Sequence, residues 1–130
     1  MILDTSAIIA AIAAEPDGTQ FQTAMEGAKS PVIAAITVLE TRIVLHGRRQ
    51  LALAQAFDVM LQRAGIEVVP LDADLAHAAF EAFRRYGKGQ GHPAQLNIVD
   101  CVAYALAKNR NDTLLLKGGD FAKTDIQSAH

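Results

Sequence analysis

The sequence predicts an α/β protein built on a parallel sheet, and three observations predict it. Short aliphatic runs, Met1–Leu3, Pro31–Ala34, Ile66–Val69 and Thr113–Leu116, recur along the chain. Longer segments with apolar residues at helical spacing lie between them. Each change of pattern is marked by Pro, Gly or a capping residue. Strands that alternate with helices make a parallel sheet with crossovers. A chain of 130 residues holds one such domain, 1–130, and no linker, repeat or low-complexity stretch divides it.

The elements follow in order. Ile2-Leu3 is a short buried strand ending at Asp4, after which Thr5 or Ser6 caps a helix through the Ala-Ile stretch. Glu15-Pro16-Asp17-Gly18 ends it in a turn, and a second helix runs from about Thr19 to Ala28. After the second strand, Ile36-Thr37 opens a helix reaching Arg49, and Leu51–Ala64 is helical with Gly65 as its C′ residue. Past the strand at Ile66–Val69, Asp72 heads a helix to Arg85, with Leu75, Ala79, Phe80 and Phe83 on its apolar face. Gly87–Pro93 is a loop by composition, Leu96–Lys108 is the most apolar helix, and Thr113–Leu116 is the last strand.

Apolar residues make up 51% and charged residues 20%, the balance of a soluble globular protein. The net charge of −2 lacks the basic excess of a stand-alone duplex-DNA binder. It leaves a nuclease open, because a carboxylate cluster subtracts charge that a bound metal restores. One cysteine, Cys101, permits no intramolecular disulfide, and His46, His77, His92 and His130 show no zinc spacing. The longest apolar run, Ala7–Ala14, is too short to span a bilayer and lacks a basic leader. A cytoplasmic protein without membrane association is expected.

The informative residues are acids where packing wants apolar side chains. Asp4 ends a buried strand. Glu40 has Ile36, Thr37, Ile43 and Val44 as same-face neighbours, and Asp100 has Leu96, Asn97, Ala103 and Tyr104. A buried carboxylate without a partner neutralises or finds a cation. Arg42 and Lys108 sit on other faces of their helices, so a divalent cation is the economical partner. Oxygen ligands without cysteine or paired histidine point to Mg²⁺ or Mn²⁺ rather than zinc. Each acid also has a plainer reading: Asp4 as a helix cap, Glu40 reaching solvent or the neighbourhood of Arg42, Asp100 bonded to Tyr104 or Asn97. The coincidence of three carries the argument. Asn97 lies three residues before Asp100, suggesting a shared polar strip, and Ser6 is either a cap or a contact to a metal-bound water.

Five segments, in this order, resemble the PIN domain and within it the VapC-type toxins of toxin–antitoxin pairs. They are Met1–Ala7, Thr37–Glu40, Tyr86–Lys88 with His92–Ala94, Asn97–Cys101 continued by Ala103–Ala107, and Leu116–Gly118 with Asp120-Phe121 and Thr124–Ile126. The resemblance covers essentially the whole chain. It implies the PIN fold, a three-layer arrangement with a central parallel sheet flanked by helices. It also implies a Mg²⁺- or Mn²⁺-dependent endoribonuclease cutting structured RNAs such as tRNA, a cognate VapB-type antitoxin, and a homodimer. Many PIN domains carry a fourth acid after the last strand, where this chain has Gly118-Gly119. Asp120 is the nearest candidate for a fourth metal ligand, with a turn or cap as its other reading.

On this reading Asp4, Glu40 and Asp100 are both the catalytic residues and the metal ligands, with Ser6 and Asn97 in support. In-line hydrolysis leaves a 5′-phosphate and needs neither a histidine base nor the RNA 2′-hydroxyl. Arg84, Arg85, Lys88 and Lys117 are candidates for RNA binding, and Tyr86 for stacking on a base. The glycines of Gly87–Gly91 follow a helix and lack a Gly-Lys-Ser/Thr ending, so they are not a nucleotide loop. The alternatives are an antitoxin-binding and regulatory module with little nuclease activity, or a phosphatase with Asp4 as nucleophile. The second is disfavoured because Ser6 stands where such enzymes place another Asp.

Overall fold

The computed structural model describes residues 1–63, 65–119 and 121–129. The order is β1 (Ile2–Leu3), α1 (Thr5–Ile12), α2 (Gly18–Glu26), β2 (Val32–Ala34), α3 (Ala35–Gly47), α4 (Leu51–Arg63), β3 (Glu67–Val69), α5 (Ala73–Tyr86), α6 (Ile98–Arg110) and β4 (Leu114–Leu115), followed by a 3₁₀ turn at Phe121–Lys123. The four strands form one sheet in the order β3-β2-β1-β4, every pair parallel.

Alternation along these short strands builds three layers. Ile2, Val32, Ala34 and Leu114 point to one face and pack against α5 and α6. Leu3, Ile33 and Leu115 point to the other and pack against α1 to α4, with Phe21 and Phe57 fully buried there. Burial on both faces is why β1, β2 and β4 read as unbroken apolar runs. The α/β sandwich expected from the sequence is the one observed. Among the described residues no helix is long and apolar enough to cross a membrane.

Several boundaries differ from expectation for identifiable reasons. Asp4 itself, rather than Thr5 or Ser6, is the N-cap of α1, its carboxylate accepting the Ser6 N–H at 3.0 Å. Helix α6 begins at Ile98, not Leu96, because Asn97 and Asp100 form a reciprocal capping box. Leu96 is instead tied to the end of α5: its N–H donates to the Tyr86 carbonyl, and the Lys88 N–H donates to its own. Strand β3 lies at the sheet edge, with Val68 46% exposed. Phe80, assigned to the apolar face of α5, is 58% exposed. Gly65 follows α4 at φ +60°, as a C′ glycine should, whereas Ala64 lies outside the described residues.

The chain leaves β1 toward β2 and β3 on one side, while β4 returns on the other. The order reverses between β1 and β4, and a crevice opens beyond their carboxyl ends. Asp4 follows β1 there, and Lys117 follows β4.

Candidate active site

An open cleft of about 580 Å³ occupies this crevice, lined by Asp4, Ser6, Glu15, Glu40, Asp100 and Lys117 among others. The three acids singled out in the sequence come from three separate elements and share this one concavity.

Asp4 is 5% exposed. Its Oδ2 accepts from the Ser6 N–H and the Ser6 hydroxyl, while its Oδ1 is buried with no hydrogen-bond partner. Burial pushes the Asp4 pKa above the ordinary carboxylate value, opposed by the Ser6 bonds. The Ser6 hydroxyl also accepts the Lys117 N–H at 2.8 Å, stitching the chain beyond β4 to the start of α1.

Glu40 sits in the second turn of α3, partly buried. Burial raises its pKa, a bond from the Thr5 hydroxyl opposes this, and the like charge of Asp4 raises it further. Beneath it, Thr5 Oγ1 lies 3.1 Å from Thr41 Oγ1, and the Thr41 hydroxyl donates to the Thr37 carbonyl at 2.8 Å. These buried threonines fix the spacing of α1 and α3. The sequence offers Thr5 only as a helix cap, not as a site residue; a polar residue between Asp4 and the apolar body of α1 is the available signal.

Asp100 stands at the first turn of α6. Its Oδ2 accepts the Asn97 N–H at 3.0 Å, and its own N–H donates to Asn97 Oδ1 at 2.8 Å. The box sets the Asp100 rotamer. Asn97 thus acts as an exposed cap on Asp100, not as a second group on one helical face aimed into the cleft. The N-termini of α1 and α6 both open here, and their partial positive ends favour negative charge.

Among the described residues no three His, Cys, Asp or Glu side chains are gathered tightly enough to hold a metal ion as they stand. The donor chemistry nonetheless fits a hard cation: carboxylate oxygens only, one buried without a partner, two close enough for charge repulsion. Asp120 lies outside the described residues.

The predicted RNA contacts fare unevenly. Lys117 lines the cleft, but its ammonium is held by Glu15 at 3.3 Å and Asp17 at 3.0 Å. Arg84 pairs with Glu81, and the Arg85 guanidinium lies 5.0 Å from the Tyr86 ring centroid. Lys88 is exposed in the loop joined to Leu96, so this basic segment stands at the same end of the α5–α6 pair as Asp100. Tyr86 is 6% exposed, edge-on to His92 and Tyr104, and unavailable to stack on a base. Cys101 is buried, its thiol pushed up to about 11 mainly by burial, and packs as a small hydrophobe.

The PIN domain family model matches residues 1–127. Ribonuclease VapC30 of Mycobacterium tuberculosis is 41% identical over 126 residues, covering 97% of this chain and 95% of that protein. Two solved structures share the fold at 18% identity. One is M. tuberculosis VapC20, described as a sarcin–ricin loop cleaving toxin, with a TM-score of 0.79 over 96% of this chain and 95% of that one. The other is a toxin–antitoxin complex from Klebsiella pneumoniae, with a TM-score of 0.74 over 99% and 97%.

Proposed function

Because the chain belongs to the PIN-domain family, among its VapC-type ribonucleases, we propose that it is a Mg²⁺- or Mn²⁺-dependent endoribonuclease and the toxin of a VapBC-type pair. The observation that carries this reading is the buried, unpartnered Oδ1 of Asp4 in a cleft shared with Glu40 and Asp100 at the switch point of the sheet.

Asp4, Glu40 and Asp100 would hold the cation. Bound there, it supplies the acidity that makes water a nucleophile near neutral pH and the charge that offsets the scissile phosphate. The chain's own part is positional. Ser6 fixes one Asp4 oxygen and leaves the other without a hydrogen-bond partner. Thr5 orients Glu40, and the Asn97 box orients Asp100. The Glu15–Asp17 pair holds Lys117 at the rim. Separated elements thereby present oxygens from a rigid frame, which strong hydrolytic catalysis requires. The products are a 5′-phosphate and a 3′-hydroxyl.

Its partners on this reading are an RNA substrate, a VapB-type antitoxin and a second copy of itself. The toxin–antitoxin relative supports the antitoxin. The exposed apolar residues Leu71, Phe80 and Ile98 around the α5–α6 groove support self-association, which a size measurement at micromolar concentration checks.

Purified, antitoxin-free protein is incubated with total bacterial RNA and Mg²⁺ or Mn²⁺, with and without chelator, beside Asp100→Asn. Discrete cuts with 5′-phosphate ends, lost on chelation and in the variant, are expected. Cleavage that survives both would overturn the carboxylate–metal mechanism. Intact RNA after incubation of well-folded protein with either metal would favour the regulatory-module reading.

A further inference from the structure

The charges lining the cleft are unequal, and the basic ones are unequally engaged. Four acids, Asp4, Glu15, Glu40 and Asp100, face two bases, Lys117 and Arg48. The charge of Lys117 is offset by two carboxylates. Other bases are also taken: Arg42 by Asp58, Arg84 by Glu81, Lys108 by Asp125 and Arg110 by Glu67. Arg48 is exposed, lines the cleft, and makes no side-chain hydrogen bond or ion pair to any described residue.

Its position follows from helix periodicity. Glu40, Val44 and Arg48 fall at i, i+4 and i+8 of α3 and its C-cap, and all three line the cleft. Eight residues span about 12 Å of helix axis. Arg48 thus stands two turns along α3 from Glu40, on the face that lines the cleft. A guanidinium offers a rigid fork of donors matched to phosphate oxygens and stays charged at any working pH.

We propose that Arg48 anchors a backbone phosphate of the RNA strand, seating the strand along α3 away from the bond that is cut. The inference rests on the ribonuclease reading and adds to it a substrate-positioning residue outside the carboxylate site. Its structural duty is slight. The C-cap of α3 is made by the Arg48 backbone N–H to the Val44 carbonyl at 3.0 Å, which truncation of the side chain leaves intact.

The test measures binding of a labelled, mixed-sequence single-stranded RNA to the full chain carrying Asp100→Asn, with Mg²⁺, over a series of salt concentrations. Adding Arg48→Ala is expected to weaken binding several-fold at low salt. It should also flatten the slope of log affinity against log salt by about 0.7, the loss of one phosphate contact on a single strand. Arg48→Lys keeps that slope. Arg49→Ala removes the same charge one residue further on, outside the lining of the cleft, and leaves the slope unchanged. In the active chain Arg48→Ala raises KM with little change in kcat, the signature of lost uniform binding. If Arg48→Ala matches its parent in affinity and slope while the unsubstituted chain binds and cuts RNA, the Arg48 assignment alone falls. If the unsubstituted chain neither binds nor cuts RNA, the ribonuclease reading falls and takes Arg48 with it.

Discussion

Asp4 is buried and Asp125 is exposed, and the partners of their oxygens differ in kind. Asp125 Oδ1 accepts from the Tyr104 hydroxyl and, at 3.4 Å, from that of Tyr86; its Oδ2 takes the Lys108 ammonium at 3.1 Å. The Tyr104 bond, ahead of the bond and charge of Lys108, holds the Asp125 pKa below the ordinary carboxylate value. Asp4 has Ser6 on one oxygen and no partner on the other, and its pKa is raised. One acid is complete within the chain. The other becomes complete only when something from outside arrives. The satisfaction of their oxygens marks which acid awaits a partner.

The strongest way to break this contrast is to neutralise each acid and assay RNA cleavage. Asp4→Asn is expected to lose about 10²–10³-fold in rate, the scale of removing one preorganised electrostatic group. Asp125→Asn should keep nearly all of it. Equal losses would erase the distinction.

Stability sharpens the contrast because the signs oppose. The raised pKa of Asp4 favours folding while the carboxyl is protonated, below its unfolded value of about 3.9, and that contribution is lost as pH rises through the folded pKa. The lowered pKa of Asp125 favours folding above about 3.9 and is lost as pH falls through the folded value. In chelator at neutral pH, thermal melts should therefore show Asp4→Asn at or above the parent Tm. Asp125→Ala should be destabilised by about 1–2 kcal/mol through the stranded tyrosine hydroxyls. Below about pH 3.9 the Asp4 difference should shrink. A lower Tm for metal-free Asp4→Asn at neutral pH would show that its ionised carboxylate is already satisfied.

A smaller effect separates cap from ligand. Asn97→Ala should cost about 1 kcal/mol of stability and reduce cleavage modestly, while Asn97→Ser restores both through the cap. Failure of serine to rescue activity would give Asn97 a direct role in the cleft.

Much of this was legible in the sequence, and the remainder was hidden for physical reasons. The alternation of strand and helix, and acids among apolar neighbours at Asp4, Glu40 and Asp100, are local patterns that the fold preserves. The burial of Tyr86 depends on Tyr104 and on Asp125, 39 residues away, and a basic stretch beside it reads equally well as a nucleic-acid platform. The start of α6 was set two residues early because apolar periodicity extends back to Leu96, while the Asn97–Asp100 box decides the boundary. Lys117 carries no hint in its neighbours that Glu15 and Asp17 hold it. Arg48 was discoverable: it follows Glu40 at i+8, though at a helix end a basic residue passes for a solvated cap.

The pairing of β1 with β4 has a consequence for how the protein is made. Ile2 registers with Leu114, and Leu3 with Leu115, so the central strand finds one of its two neighbours more than a hundred residues later. Such separation slows folding and delays closure of the sheet until β4 has been made. The bond from the Lys117 N–H to Ser6, which steadies Asp4, forms only at that closure. A nascent chain that stops short of β4 therefore has Asp4, Glu40 and Asp100 without the bond that steadies Asp4. Ribosomes building this protein carry β1 without one of its two neighbours until β4 has emerged.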